Sequence, residues 1–361
     1  LEAGDDRPTL LVYAHYDVQP VDPLDLWDSP PFEPAVRDGK LYARGAIDNK
    51  CGAYINLKAF ESFLETAGRL PVNVKLFFEG EEESGSPSMG TLIAQHRDLL
   101  AADLLILSDG GSLPDQPKCL TSTRGIVDGE VTVSGPKRDL HSGTYGGFVH
   151  NPAHLVARII SALHDEEGRV QIPGFYDAVL PAGPVIQKQL KAMEPVLLPE
   201  YESKSGVKAF WGVPGYEILE RGTAQPTLDV NGIYGGYQGV GGMTISPASA
   251  GFKASMRLVA DQDPDDISEK FAEFVRSFAC PSLDVEVRMD PGSWSAELLH
   301  EGPEIDVLQK AYRATWGKEA LLYREGGSVP VLGMFHRELG MPMIQLAFGV
   351  GDNGHAPNEY L

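Results

Sequence analysis

The chain is poor in cysteine and in positive charge, and it has no long apolar run. Three cysteines, Cys51, Cys119 and Cys280, are scattered over 361 residues with no CxxC pair. An odd, sparse set of that kind is not a disulfide framework. It fits a reducing, cytoplasmic setting. Lysine and arginine number 30 against 51 acidic residues, a net charge of −21. Nucleic-acid binding rests on Lys/Arg contacts to phosphate, so that partner class is disfavoured. An anionic membrane surface is disfavoured for the same reason. No segment approaches the ~20 apolar residues that span a bilayer. A G-x-S-x-G elbow is absent, which argues against a serine hydrolase of the α/β type. G-x-G-x-x-G after a strand is absent too, which argues against a dinucleotide enzyme. No signal peptide is visible, and there are no repeats or low-complexity tracts.

What is present is a set of hydrophobic runs, several ending in acidic or histidine motifs. "YAHYDV" places His15 and Asp17 after Leu10–Ala14. "FEGEEESGS" places Glu81, Glu82 and Glu83 after Val72–Phe78. "LILSDGG" places Asp109 after Leu104–Leu107, and "GVGDNGHAPNE" places His355 after Met343–Phe348. A fifth motif, "RGAIDNK", sets Asp48 just before a helical pattern. Open α/β sheets bind ligands beyond the carboxyl ends of their strands. Each motif alone is weak, since an isolated histidine is more often a hydrogen-bonded core or surface residue and an acidic run is usually a solvated face. Together they supply two histidines, three ligand-type carboxylates and a spare glutamate. That is the inventory of a two-metal hydrolase, whose metals lie ~3.5–4 Å apart. Imidazole with carboxylate suits zinc first, and also manganese or cobalt.

The length suggests about two domains at roughly 150 residues each. Strands over Thr9–Ala14, Val72–Phe78 and Leu104–Leu107 alternate with helices over Cys51–Thr66 and Thr91–Leu100. That order predicts a mainly parallel, mixed sheet flanked by helices. After Arg124 the pattern changes. Val127–Ser134, a helix over Asn151–His164, a strand over Thr227–Tyr234, one or two more over Thr244–Val259, a helix over Asp265–Phe278 and a strand over Leu283–Met289 follow in turn. β-α-β-β-α-β is the order of a ferredoxin-like sandwich. A Pro- and Gly-spotted stretch, roughly 165–225, interrupts it without a clear character. The α/β pattern then resumes with a helix over Glu304–Trp316 and a strand over Met343–Phe348. The expectation is a discontinuous di-metal domain, residues 1–124 and 292–361, with an inserted α+β lid and dimerisation domain, residues 125–291.

Taken in order, H-x-D, R-G-x-x-D-x-K, E-E-x-G-S, S-D and a late histidine resemble the M20 metallopeptidases, the aminoacylase-1/carboxypeptidase G2 group. The resemblance covers nearly the whole chain. It implies that Asp48 bridges two divalent metals, that His15 and Asp109 complete one site, and that Glu83 and His355 complete the other. It implies that Glu82 is the general base, taking a proton from the metal-bridging water and giving it to the leaving amine. Asp17 would orient the ring of His15. Glu81 leaves a one-residue slip open, in which Glu81 and Glu82 take these roles; the following "SGS" favours Glu82 and Glu83. Asp48 also stands where a helix N-cap would. Asn49 occupies a position where many members have a second aspartate, and the resemblance implies a cis peptide between Asp48 and Asn49.

"LHSGTYGG", around His141, is similar to the dipeptidase branch that includes cytosolic nonspecific dipeptidase and carnosinase. There it implies a histidine that serves the oxyanion in the other subunit's site of a homodimer. Arg257 in "SMRLVADQ" and Ser328 in "YREGGSVP" are similar to positions that bind the substrate's C-terminal carboxylate, a task suited to arginine's forked donors. The activity implied is hydrolysis of a dipeptide or similar small substrate beside a free C-terminal carboxylate. N-acyl-amino-acid deacylation, carboxypeptidase activity and a catalytically inactive peptide-binding relative are the alternatives. A binding module needs no base beside its metals, so Glu82 counts against the last. His96, His150, His154, His164, His300 and His336 have no motif context and are expected to be structural or surface residues. Trp27, in "DLWDSPPFEP", is expected to pack near the exit of the first strand. Segments that M20 members carry before the first strand and after the last histidine motif are missing from this sequence.

Overall fold

The computed structural model describes residues 1–361. The chain divides into two compact units. One comprises Leu1–Ser122, Ala296–Arg324 and Pro330–Leu361; the other comprises Thr123–Ser295 and Glu325–Val329.

The first unit opens with strand β1 (Thr9–His15), a hairpin of β2 (Ala35–Arg37) and β3 (Lys40–Tyr42), and helix α1 (Lys50–Ala67). Strand β4 (Asn73–Glu79), helix α2 (Met89–Leu100), β5 (Leu104–Leu107) and β6 (Lys118–Thr123) follow. β1 is buried from Leu11 to His15, as befits a central parallel strand covered on both faces. Helix α1 stops at Gly68, whose φ of 70° is the left-handed conformation glycine adopts freely.

The second unit begins with β7 (Gly125–Ser134), β8 (Leu140–His141), α3 (Ser142–Tyr145) and α4 (Pro152–Ala162). Next come α5 (Pro184–Ser205), α6 (Ile218–Thr223), β9 (Thr227–Gly235) and β10 (Ile245–Ser246). β11 (Ser249–Leu258), α7 (Pro264–Arg276) and β12 (Asp284–Met289) complete it. The helices α4 and α7 start alike. Asn151 and Asp263 accept hydrogen bonds from the backbone N–H two residues on, and a proline opens the first turn. The chain then returns to the first unit through β13 (Ala296–Glu297), α8 (Pro303–Trp316), β14 (Leu321–Arg324), α9 (Pro330–Met334) and β15 (Met343–Gln345).

In the first unit the main sheet has the order β15-β5-β1-β4. All three pairings are parallel, so this sheet is parallel throughout and not mixed. β1 and β5 sit at its centre, and their carboxyl ends carry His15 and Asp109. A second sheet, β13-β6-β14, has no counterpart in the sequence expectations. Its strand "KCLTST" is polar by composition yet buried from Cys119 to Thr123. Thr121 Oγ1 donates to the Tyr323 carbonyl at 2.9 Å, and Ser122 Oγ donates to Glu297 at 2.9 Å. Hydroxyls that find partners can be buried at little cost.

In the second unit the sheet order is β12-β7-β11-β9, antiparallel throughout. Leu155 and Ile159 of α4, Leu163 at its C-cap, and Ile267, Phe271 and Val275 of α7 pack with Val127, Val131, Phe252 and Met256 in one core. Phe252 has no exposed surface. Phe252→Ala is expected to destabilise this unit by about 3–5 kcal/mol, measurable as a fall in the denaturant midpoint at constant slope.

Thr244–Val259, read as one or two strands, is two. Several expected boundaries shift. The last strand stops at Gln345 rather than Phe348. The uncharacterised stretch 165–225 holds α5 and α6 and lines a cavity of about 480 Å³ with Tyr176, Trp211 and Tyr216. Helix α5 runs through Pro195 and Pro199, which hid it from a reading that treats proline as a stop. Ser328, expected within the first domain, groups with the second unit.

Candidate metal centre

Four of the five candidate metal ligands lie beyond strands of the parallel sheet or in the loops that follow them, and Asp48 sits just before α1. His15 closes β1 with its side chain buried. Its Nδ1 lies 3.2 Å from the Asp17 carbonyl and 3.3 Å from Asp17 Oδ1, which turns Nε2 toward the cluster. Asp17 also accepts from the backbone N–H of Glu83 at 3.0 Å, tying the first motif to the acidic turn.

Asp48 faces both histidines with different oxygens. Oδ1 is 3.1 Å from His15 Nε2, and Oδ2 is 3.0 Å from His355 Nε2. The N-cap of α1 is Asn49, not Asp48. Asn49 Nδ2 donates to the Ser108 carbonyl at 2.9 Å. The Asp48–Asn49 peptide is cis. Gly52 lets α1 approach this corner, because a Cβ there would meet Asn49 Oδ1 and the Ser108 carbonyl oxygen, each at 2.2 Å.

Asp109, just past β5, brings Oδ2 to 3.9 Å from His15 Nε2, while its Oδ1 accepts from the Gly110 N–H at 2.6 Å. Glu83 Oε2 lies 3.4 Å from His355 Nε2 and accepts from Gln19 Nε2 at 2.9 Å. Ligand atoms of His15, Asp48 and Asp109 all fall within 4.8 Å of one another, and so do those of Asp48, Glu83 and His355. Two three-residue groups thus share one carboxylate.

Glu82 belongs to neither group but reaches to 4.0 Å from His15 Nε2. Glu81 turns away, accepting from the Ser88 N–H at 3.2 Å. The acidic turn therefore presents Glu82 and Glu83 to the cluster and not Glu81.

The electrostatics of these groups call for cations. Five carboxylates gather around two imidazoles. Burial, reinforced by Asp109, pushes Glu82 up to about 7. Burial, with Asp48 and Glu83 adding to it, pushes Asp109 up to about 6. Burial also raises Glu83, whose Oε1 is buried without a donor. Burial opposes charging of His15, but its bond to Asp48 and the fields of Asp109 and Glu82 outweigh it and push the ring to about 10. Carboxylates and imidazoles gathered this closely are a donor set for divalent cations.

Two residues that the motif reading passed over hold the site from below. Arg44 and Glu359 form a buried pair at 2.8 Å, and Arg44 lies 5.2 Å over the Trp27 ring. Both stood inside quoted motifs, but nothing in one sequence marks them as partners 315 positions apart.

His141, Arg257 and Ser328 lie in the second unit. His141 is exposed, and its Nδ1 accepts from the Gly143 N–H at 3.0 Å. In the neutral ring this leaves the proton on Nε2. A Cβ at Gly143 would stand 2.9 Å from His141 Cε1, so the turn favours glycine. Arg257 Nη1 donates to Ser328 Oγ at 2.6 Å. Arg124 Nε pins the same loop through the Gly326 carbonyl at 2.7 Å.

The profile of the family described as Peptidase family M20/M25/M40 matches residues 11–361. The chain belongs to that family. It is a hydrolase acting on peptide bonds, with the candidate ligands of a dinuclear metal site. The Cys-Gly metallodipeptidase DUG1 of Candida albicans is 33% identical over 370 residues, covering 98% of this chain and 75% of that protein. The human Beta-Ala-His dipeptidase is 30% identical, covering 99% of this chain and 72% of that protein. Among solved structures, the M20 family metallo-carboxypeptidase Sso-CP2 from Sulfolobus solfataricus superposes with a TM-score of 0.87 at 30% identity. It covers all of this chain and 82% of its own. No helix of this M20 peptidase is long and apolar enough to cross a membrane.

Proposed function

We propose that this M20 peptidase is a dipeptidase that cleaves the peptide bond beside a free C-terminal carboxylate. The observation that carries the reading is the pair of three-ligand groups sharing Asp48, with Glu82 poised beside them as an extra carboxylate. His15, Asp48 and Asp109 would hold one divalent cation, and Asp48, Glu83 and His355 the other, zinc being the first choice for imidazole–carboxylate donors. When bound, the two cations supply Lewis acidity that polarises the scissile carbonyl and makes water nucleophilic at neutral pH.

The chain's own residues do the rest. Glu82 takes a proton from the attacking water as the C–O bond forms, and passes it to the amide nitrogen as the C–N bond breaks. Asp17 holds the His15 ring in its ligating orientation. His141 offers Nε2–H to the carbonyl oxygen as it gains negative charge. The Arg257 guanidinium and the Ser328 hydroxyl, already joined to each other, receive the substrate's terminal carboxylate.

The working form is a homodimer built through the second unit, in which His141 serves the partner's site. The free edge of β9 supports this, with Ile233, Val240, Met243 and Phe148 exposed in the same unit. Three free cysteines suit a reducing cytoplasm.

A dipeptide substrate is supported by relatives named for Cys-Gly and Beta-Ala-His hydrolysis. The likeness to a metallo-carboxypeptidase favours a second reading, in which longer peptides are trimmed from the C-terminus. A hydrolysis panel separates them. Protein loaded with zinc, manganese or cobalt is assayed on dipeptides, N-acetyl amino acids and longer peptides. The highest kcat/KM is expected on dipeptides. Faster turnover of acylated amino acids or longer peptides would replace the dipeptidase assignment.

A further inference from the structure

We propose that Arg44 and Glu359 are a positioning pair that sets the separation and orientation of Asp48 and His355, an inference that rests on the metal-site reading above. Neither residue belongs to either three-residue ligand group. Glu359 has no exposed surface. Its Oε1 accepts from the backbone N–H groups of Ile47 at 2.9 Å and Asp48 at 3.1 Å. Its Oε2 accepts from the Gly45 N–H and from Arg44 Nη1, both at 2.8 Å. One carboxylate thus gathers the turn that ends in Asp48.

Arg44 extends the same frame to the other two loops. Nη1 also donates to the Gly354 carbonyl at 2.6 Å, one residue before His355. Nη2 donates to the Pro20 carbonyl at 3.1 Å, on the loop that leaves His15 and Asp17. Gly45, with φ at +82°, has a Cβ position only 2.6 Å from Val18, so the turn is also packed tightly against that loop. His355 itself is the most exposed ligand, its side chain 64% accessible, and gains little placement from packing. Its position depends on the backbone that Arg44 and Glu359 hold at each side.

A buried ion pair is weak as a source of stability, because desolvation offsets its attraction. Here the pair fixes backbone that carries Asp48, common to both three-residue groups, and His355, a member of one of them. Residues that orient metal ligands at one remove typically change metal affinity by about 10–100-fold when replaced.

The test measures metal binding directly. Apo protein is titrated with zinc against a chromophoric chelator, and with cobalt(II) while the visible absorption is recorded. Wild type is expected to bind two cations. Glu359→Gln keeps an oxygen toward Ile47 and Asp48 but sets an NH2 group against Gly45 and Arg44. Arg44→Lys keeps the charge but loses the fork that reaches Glu359, Gly354 and Pro20 together. Both variants are expected to keep wild-type apo circular dichroism, bind zinc about 10–100-fold more weakly, and show an altered cobalt spectrum. Folded variants with wild-type affinity and spectrum would overturn the proposal. Loss of the apo fold in both variants would overturn it too, since the pair would then serve folding alone. If wild type itself binds fewer than two cations, the metal-site reading fails instead, and the two failures stay distinct.

Discussion

Replacing Glu82 with glutamine is expected to leave both metal ions bound and to lower kcat by about 10²–10⁴-fold, the usual contribution of a positioned general base. Glutamine preserves the shape of the side chain but cannot accept the proton of an attacking water. The metals should stay because Glu82 lies outside both three-ligand groups, at 4.0 Å from His15 Nε2. Without metal ions, burial and the neighbouring Asp109 carboxylate raise Glu82 to about 7. Metal content by emission spectroscopy and kcat on a dipeptide check the result together. A fully metallated variant with near-normal kcat would remove Glu82 from the reaction.

Loss of His141 should cost almost as much. An oxyanion donor contributes about 10²–10³-fold to kcat, so His141→Ala is expected to fall by that amount while binding metals normally. The more informative measurement mixes His141→Ala with Glu82→Gln, each nearly inactive alone. If His141 works in the partner's site, mixed dimers contain one site with both residues intact, and activity partly returns. Failure to recover activity after subunit exchange has been demonstrated would sink the shared-site arrangement. His141 would then be a loop residue or a partner within its own subunit.

Much of the parallel sheet was legible because its strands are short, continuous apolar runs. Leu104–Leu107 needed no revision, and Thr9–Ala14 lengthened by a single residue. β7, α4 and α7 were legible because they carry clean period-two and helical patterns, the helices with polar caps. β6 escaped notice because half of it is the hydroxyl run Thr121, Ser122 and Thr123, buried with hydrogen bonds from Thr121 and Ser122, and β14 because its apolar run is only Leu321–Tyr323. Helix α5 escaped because two prolines and weak amphipathicity erase its local signal.

The candidate site divides in the same way. Residue type and position, at strand ends or just before α1 for Asp48, drew attention to the five motifs, and the resemblance to the M20 family supplied the ligand set His15, Asp48, Glu83, Asp109 and His355. The "SGS" that follows favours Glu82 over Glu81 in the sequence, and the direction the turn gives each side chain is seen only in the coordinates. The roles of Arg44, Glu359 and Gln19 also needed coordinates. Their work is to hold other residues through contacts spanning up to 315 positions, and a linear pattern records no such distance. The sequence by itself determined which chemistry the chain can perform, because that follows from functional groups and their local periodicity. Only the tertiary structure decided which groups face one another, because that follows from packing and hydrogen bonds between segments remote along the chain.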